Sequence, residues 1–289
     1  MLLGHEVSGV VSEVGEGVTH LKPGDRVAVD PHVPCRTCDL CKTGRYNICP
    51  KVSFLATPPA DGALTRFFVH PADFSFKLAE NVNFEEGACV EPLSVGLHSC
   101  RRARVGLGHV VLATGAGPIG LCVMLCAKAL GAKSVCLTDI DQKRLDFAKS
   151  MGATHTLLLK KDESEADAVA RLVEMLGDYP DRTIECSGAP SALSFAVNAT
   201  KLGGALAMVG LNSAALPFPA AEAILKEIDI VGSCRYANTW PTIIDMISMG
   251  RINVKPMITH HYKLEETIQA FNFAKSGQGV KVMIDCTRG

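Results

Sequence analysis

The chain has 289 residues, with 29 Lys or Arg against 30 Asp or Glu and a net charge of −1, which leaves no electrostatic basis for nucleic acid or an anionic membrane as its main partner. With 47% hydrophobic and 20% charged residues and a mean hydropathy of +0.20, its composition is that of a folded chain with a large core, about two domains by length. Its 12 cysteines are too sparse for a disulfide scaffold, and a thiol-rich chain of this kind is expected in the cytoplasm, where thiols stay reduced.

In chain order, Met1-Leu2-Leu3-Gly4-His5-Glu6 has no basic stretch and an apolar run of only three residues. It reads as neither a signal nor a transit peptide, and resembles the interior of a longer protein. From Met1 to about Val90 short β-type runs, Glu6 to Val11 and Arg26 to Val29, are broken by Gly15, Gly17, Pro23 and Gly24, which predicts an irregular β domain.

Between Pro31 and Pro50 lie Cys35, Cys38, Cys41 and Cys49, spaced C-x2-C-x2-C-x7-C. Four thiolates on a loop punctuated by prolines and Gly44 suit a closed tetrahedral zinc site of structural type. An iron–sulfur cluster is the competing metal reading, because C-x2-C-x2-C also begins ferredoxin runs, and unmetallated thiols are a third. The fourth spacing favours zinc. The other eight cysteines, Cys122, Cys126 and Cys136 among them, fall mostly in apolar runs and read as core.

From about Glu91 to Cys234 strand-like and helix-like segments alternate. Strands are expected at Val110 to Leu112, Ser134 to Leu137, Thr183 to Glu185 and Ala205 to Val209, and helices at Ile119 to Leu130, Asp141 to Ser150 and Glu165 to Leu176. This alternation predicts an α/β fold with a doubly wound parallel sheet. The uncharged run from Val110 to Ala127 is long enough to raise a membrane span, but Gly115, Gly117, Pro118 and Gly120 interrupt it, and a dinucleotide loop explains it better. In Gly115-Ala116-Gly117-Pro118-Ile119-Gly120 the first glycine permits the tight turn, the second admits a pyrophosphate, and the third lets helix and strand pack. Asp139 ends the next strand, nineteen positions beyond Gly120, where a carboxylate accepts ribose hydroxyls and repels a 2′-phosphate, so the cofactor expected is NAD rather than NADP. Asp139 as a plain helix cap and the glycines as plain turn residues are the alternative.

The tail is expected as helix (Trp240 to Met249), strand (Met257 to Tyr262), helix (Leu264 to Lys275) and strand (Val280 to Ile284), packed back on the first region. No internal repeat or long linker interrupts the chain.

Gly4-His5-Glu6-Val7-Ser8-Gly9, the four-cysteine lobe, Ala56 to Gly62, Phe84 to Ala88, Glu91-Pro92-Leu93-Ser94-Val95-Gly96, the glycine loop and Arg235-Tyr236-Ala237-Asn238-Thr239-Trp240-Pro241 together resemble the zinc-dependent medium-chain alcohol and polyol dehydrogenases over essentially the whole chain. The Glu91 and Arg235 segments are specific to the polyol branch. The resemblance implies a Rossmann NAD domain over 92–234, a β-rich GroES-like catalytic domain over 1–91 with its zinc lobe at 31–50, and a return of 235–289 to that catalytic domain. It implies that His5, Glu6 and Glu91 serve a catalytic zinc, with Glu6 and Glu91 acting in catalysis. Phe54, Thr57, Glu91, Arg235 and Tyr236 would meet the substrate. Gly115, Gly117, Ile119, Gly120, Asp139, Arg144, Val209, Gly210, Leu211, Ser233, Cys234 and Arg235 would meet NAD.

The implied activity is oxidation of a polyol such as sorbitol or xylitol to its ketose, by a cytoplasmic homotetramer without nucleic-acid or membrane partners. Two departures are visible. Some relatives lack the cysteine lobe that this chain keeps. The family also carries residues ahead of Gly-His-Glu, including a cysteine ligand of the catalytic zinc, and a chain read as lacking them is expected to hold that zinc poorly. The alternative function is therefore a catalytically impaired NAD- and zinc-binding pseudo-subunit. A zinc-free quinone reductase fits less well, given His5, Glu6 and the cysteine lobe.

Overall fold

The structure, a computed structural model, describes residues 1–211 and 217–287. It divides into two compact units, Met1–Ser94 with Ala237–Gly289, and Val95–Tyr236.

The first unit begins with short strands. β1 (Val7–Val10) pairs antiparallel with β2 (Arg26–Val29) in the register Val7↔Val29 to Val10↔Arg26. The expected strand from Glu6 to Val11 is paired over Val7–Val10, and beyond it the Val11 N–H still donates to the Asp25 carbonyl at 2.9 Å. Val27 and Val29, two residues apart and so on one face, pack with Leu21 and are flanked by Val7, Val11, Val18 and Ala72. β3 (His32–Val33) leads into the cysteine loop, which holds the short helix α1 (Asp39–Lys42), and pairs with β4 (Ser53–Phe54) beyond it. β5 (Ser75–Lys77) completes the β1–β2–β5 sheet. α2 (Phe84–Ala88) starts at a capping box, in which Asn83 accepts the Glu86 N–H and the Glu86 carboxylate accepts the Asn83 N–H. α3 (Val90–Arg102) follows, with Glu91 in its first turn and Arg101 and Arg102 in its last, as the helix dipole favours.

The second unit is built from β6 (Val110–Thr114), α4 (Pro118–Ala129), β7 (Ser134–Asp139), α5 (Gln142–Ser150), β8 (His155–Leu158), α6 (Glu165–Leu176), β9 (Arg182–Glu185), α7 (Pro190–Ala199), β10 (Ala205–Met208), α8 (Ala220–Leu225) and β11 (Asp229–Gly232). Its six strands are parallel, in the order β11-β10-β9-β6-β7-β8. This is the doubly wound sheet that the alternation predicts. Parallel strands covered on both faces need continuous apolar runs, and Val111 to Thr114 and Val135 to Asp139 are buried without alternation. Leu112, Cys136, Leu157, Leu172 and Phe195 form one core cluster, and Leu193, Val197, Leu206 and Ala223 another. The uncharged run at 110–127 is therefore strand, loop and buried helix. Among the described residues no helix is long and apolar enough to cross a membrane.

The tail, grouped with the first unit, holds α9 (Trp240–Ser248), β12 (Ile258–Lys263), α10 (Thr267–Lys275) and β13 (Lys281–Asp285), with β12 and β13 paired in parallel. The expected helix from Leu264 begins instead as a separate tight turn, Leu264–Glu266. Glu266, at φ −96° and ψ 14°, leaves helical geometry there. Trp240, 1% exposed, stacks on Phe76 at 5.7 Å.

Candidate functional site

In the second unit β6 and β9 are neighbours although two strands separate them in sequence, so the order reverses between them and leaves a crevice at the strands' C-terminal ends. The glycine loop follows β6 at that point. Gly115 has φ +94°, in the left-handed region, and its N–H donates to the Thr138 carbonyl at 2.7 Å. A Cβ at position 120 would stand 1.9 Å from the Gly115 carbonyl oxygen, whereas one at position 117 would meet nothing within 4 Å. Gly120 is thus fixed by the fold itself, while Gly117 faces open space that a ligand can enter. No side chain caps α4, so its N-terminal dipole and N–H groups suit an anion.

Asp139 closes β7 and is 8% exposed. Its Oδ2 accepts the Ala116 N–H at 2.8 Å, its Oδ1 accepts the Asp141 N–H at 3.0 Å, and the Arg144 guanidinium stands 3.9 Å away. The carboxylate is tied to the loop it would serve. Asp141 caps α5, the role the alternative reading gave to Asp139.

Sequence reasoning missed Glu185 at the end of β9. It is 2% exposed, and its Oε1 accepts the N–H groups of Ser187 and Gly188 at 2.7 and 2.9 Å and the Ser187 hydroxyl at 2.7 Å. Its backbone carbonyl accepts the N–H groups of Val209 and Gly210. One buried residue therefore fixes the loops after β9 and β10; an acid ending an apolar strand was the available signal. Of the remaining candidates in this unit, Leu211 is 95% exposed, Cys234 is exposed, Ile119 is half-buried, and the Ser233 hydroxyl lies 3.3 Å from that of Ser99. Arg235 has a left-handed φ of 51°, and Tyr236 is wholly buried.

In the first unit, one nitrogen of His5 and one carboxylate oxygen each from Glu6 and Glu91 lie within 4.8 Å of one another. Glu91 is 5% exposed, held in the first turn of α3, and the other two precede β1. One imidazole and two carboxylates are donor types of a catalytic zinc, which needs about three protein ligands and an open position. Lys281, on β13, pairs with the Glu6 carboxylate, which offsets part of the charge of two adjacent acids. This partner lies too far along the chain for any local pattern to reveal.

The four cysteine sulfurs also lie within 4.8 Å of one another. Sγ separations are 3.9 Å for Cys35–Cys41, 3.5 Å for Cys38–Cys41 and 3.9 Å for Cys38–Cys49. Thiolates about 2.3 Å from a single tetrahedral ion stand about 3.8 Å apart, so the lobe has the size of one ion, whereas a multi-iron cluster spreads its cysteines over several irons. Hydrogen bonds from Thr37 and Cys38 pull the Cys35 thiol down to about 5, and burial with the neighbouring thiols pushes Cys41 up to about 12. Crowding of sulfurs makes successive ionisation costly, and a cation relieves it.

Phe54, 7% exposed, has its ring centroid 5.6 Å from that of His5. Thr57 is exposed, and its N–H donates to the Phe54 carbonyl at 3.0 Å.

An alcohol dehydrogenase GroES-like domain matches residues 1–80, and a zinc-binding dehydrogenase domain matches residues 118–249. Sorbitol dehydrogenase of Homo sapiens is 50% identical over 287 residues, covering 99% of this chain and 80% of its own length. Galactitol-1-phosphate dehydrogenase from Escherichia coli superposes with TM-score 0.88 at 33% identity, over 98% of this chain and 83% of its own. A short chain alcohol dehydrogenase from Escherichia coli CFT073, complexed with NADH, gives TM-score 0.90 at 29% identity over 97% and 82%. The chain belongs to the zinc-containing medium-chain dehydrogenases, in the group that contains the sorbitol dehydrogenases.

Proposed function

We propose that the protein is an NAD- and zinc-dependent polyol dehydrogenase that oxidises sorbitol, xylitol or a similar polyol to the ketose. The observation that carries this reading is the gathering of His5, Glu6 and Glu91 in a chain half identical to sorbitol dehydrogenase. Bound there, zinc would supply a Lewis acid toward a substrate hydroxyl, and NAD the hydride acceptor. His5, Glu6 and Glu91 would hold the metal, with Glu6 and Glu91 also available to accept a proton from the reacting hydroxyl or a water. Arg235 and Tyr236 would bind the remaining hydroxyls, and Phe54 and Thr57 would line the pocket. Gly117 would receive the pyrophosphate on the loop that Gly115 and Gly120 shape, with Asp139 on the adenosine ribose. Ile119, Arg144, Val209, Gly210, Leu211, Ser233, Cys234 and Arg235 would complete the cofactor contacts. The single-ion spacing of Cys35, Cys38, Cys41 and Cys49 supports a structural zinc.

In this reading residues 1–91 and 235–289 make up the catalytic domain and 92–234 the nucleotide domain. A homotetramer and a cytoplasmic location belong to the same proposal. Incubating the zinc-loaded protein with sorbitol and NAD tests the proposal. One ketose should form per NADH, with NADP a poor substitute, and NADH binding without ketose formation would refute it.

A further inference from the structure

A chain of packed groups in the first unit has no part in the roles assigned above. Asp30 and His32 are both 0% exposed. The His32 Nδ1 lies 2.6 Å from Asp30 Oδ1, which also accepts the His32 backbone N–H at 3.1 Å. Beside a carboxylate, Nδ1 is the nitrogen that carries the proton and donates. The other carboxylate oxygen accepts the Tyr46 hydroxyl at 3.4 Å, and the Asp30 backbone carbonyl accepts His70 Nε2 at 2.8 Å. The Tyr46 oxygen in turn accepts the Asn238 backbone N–H at 3.0 Å. Burying an ionisable pair is expensive, and an apolar pair would fill the same space at lower cost. Packing alone therefore does not account for it. A hydrogen bond to a ring nitrogen does what apolar packing does not: it fixes the plane of the ring.

That plane matters because of what His32 touches. It is the cross-strand partner of Phe54 in the β3–β4 pair, and the two rings meet edge to face at 4.8 Å and 85°. Phe54 touches His5 as well as His32, with its centroid 5.6 Å from the His5 ring at an interplanar angle of 55°. Tyr46 also meets the His32 ring, edge-on at 5.6 Å.

We propose that Asp30 and His32 are positioning residues for the His5–Glu6–Glu91 centre: Asp30 orients the His32 ring, the ring holds Phe54, and Phe54 sets the orientation of the His5 imidazole. The purpose assigned to that orientation rests on His5 being a metal donor of the polyol site; the ring positioning itself does not. Three variants of the full chain test it. Asp30→Leu removes the acceptor, His32→Phe keeps a ring without the hydrogen bond that fixes it, and Asp30→Asn removes the charge but keeps an acceptor. In the metal-free protein, imidazole proton NMR is expected to show the His5 resonances shifted or broadened in Asp30→Leu and His32→Phe and restored in Asp30→Asn, with His20, His109 and His155 unmoved in all three. In the zinc-loaded protein the first two variants should lose metal from this centre to a chelator about tenfold faster, the size of effect typical of groups that orient a ligand, while the cysteine lobe keeps its zinc. Asp30→Leu leaves no buried charge unpaired, so either it or His32→Phe suffices. His5 resonances at wild-type positions in whichever of the two folds would overturn the proposal. Failure of the wild type to oxidise sorbitol would count against the polyol function and not against the positioning, which the metal-free spectra read alone.

Discussion

At the scale of single residues, the proposed chemistry depends on a few side chains. Glu91 is a buried acid beside the two other candidate donors, and in the proposed reading its replacement by Ala removes one ligand of three. Metal analysis of Glu91→Ala should show one zinc per chain against two in the wild type, with kcat/KM for sorbitol lower by about a hundredfold or more. In the proposed reading, Asp139 governs cofactor choice by charge. Asp139→Ser removes both the anionic acceptor and the repulsion toward a 2′-phosphate, and hydrogen bonds to a charged group are worth about 1.5–3 kcal/mol. The ratio of kcat/KM for NAD to that for NADP should therefore fall by about tenfold or more, as initial rates with each cofactor would show. The four cysteines are legible in the sequence because donors of one type recur at short spacing, whereas His5 and Glu6 are marked there only by the family resemblance. Lys281 and the Asp30–His32 pair are not, because what makes them informative is a contact made by folding, and no periodicity encodes it.

Among elements, the two glycines of one loop separate folding from binding. A Cβ at position 120 would collide with the Gly115 carbonyl oxygen at 1.9 Å, while position 117 is open and Gly117 sits at an ordinary φ of −75°. Gly120→Ala should lower both Tm and NADH affinity. Gly117→Ala should leave Tm within about 1 °C, since a surface change without lost contacts is nearly neutral, and yet weaken NADH binding measured by fluorescence titration. The α/β elements were legible nearly to the residue where chemistry marks their ends. α6 runs from Glu165 to Leu176, as expected, because Ser164 caps it by accepting the Asp167 N–H and Gly177 ends it in the left-handed conformation at φ 80°. The two-residue strands β3 and β4 carry no such signal, since a pair this short is set by its partner and not by its own pattern.

For the whole molecule, pH connects the buried network to stability. Burial holds His70 below its ordinary value of 6.5, with the Asp30 carbonyl pulling the other way. The unfolded chain therefore takes up a proton that the folded chain resists. Stability from this group is full above about 6.5 and declines as pH falls below it, by at most about 1.4 kcal/mol per pH unit, until the folded value is passed. Urea midpoints at pH 7.5 and 5.5 should show this decline, and His70→Gln should remove that part of it. The cysteine lobe should release its zinc over an acidic range too, because protons compete for the thiolates. Fold class was readable from strand and helix alternation over the second unit, whereas the first unit, held by short strands and contacts between distant segments, became readable only once folded. The most direct test of the central claim is the rate of NADH formation when sorbitol is added to the zinc-loaded protein, measured before chelation, after it, and after zinc is restored. The account predicts a rate that saturates with sorbitol, vanishes on chelation and returns with zinc; a rate indifferent to the metal, or none at all from protein that carries two zinc ions and binds NADH, would contradict it.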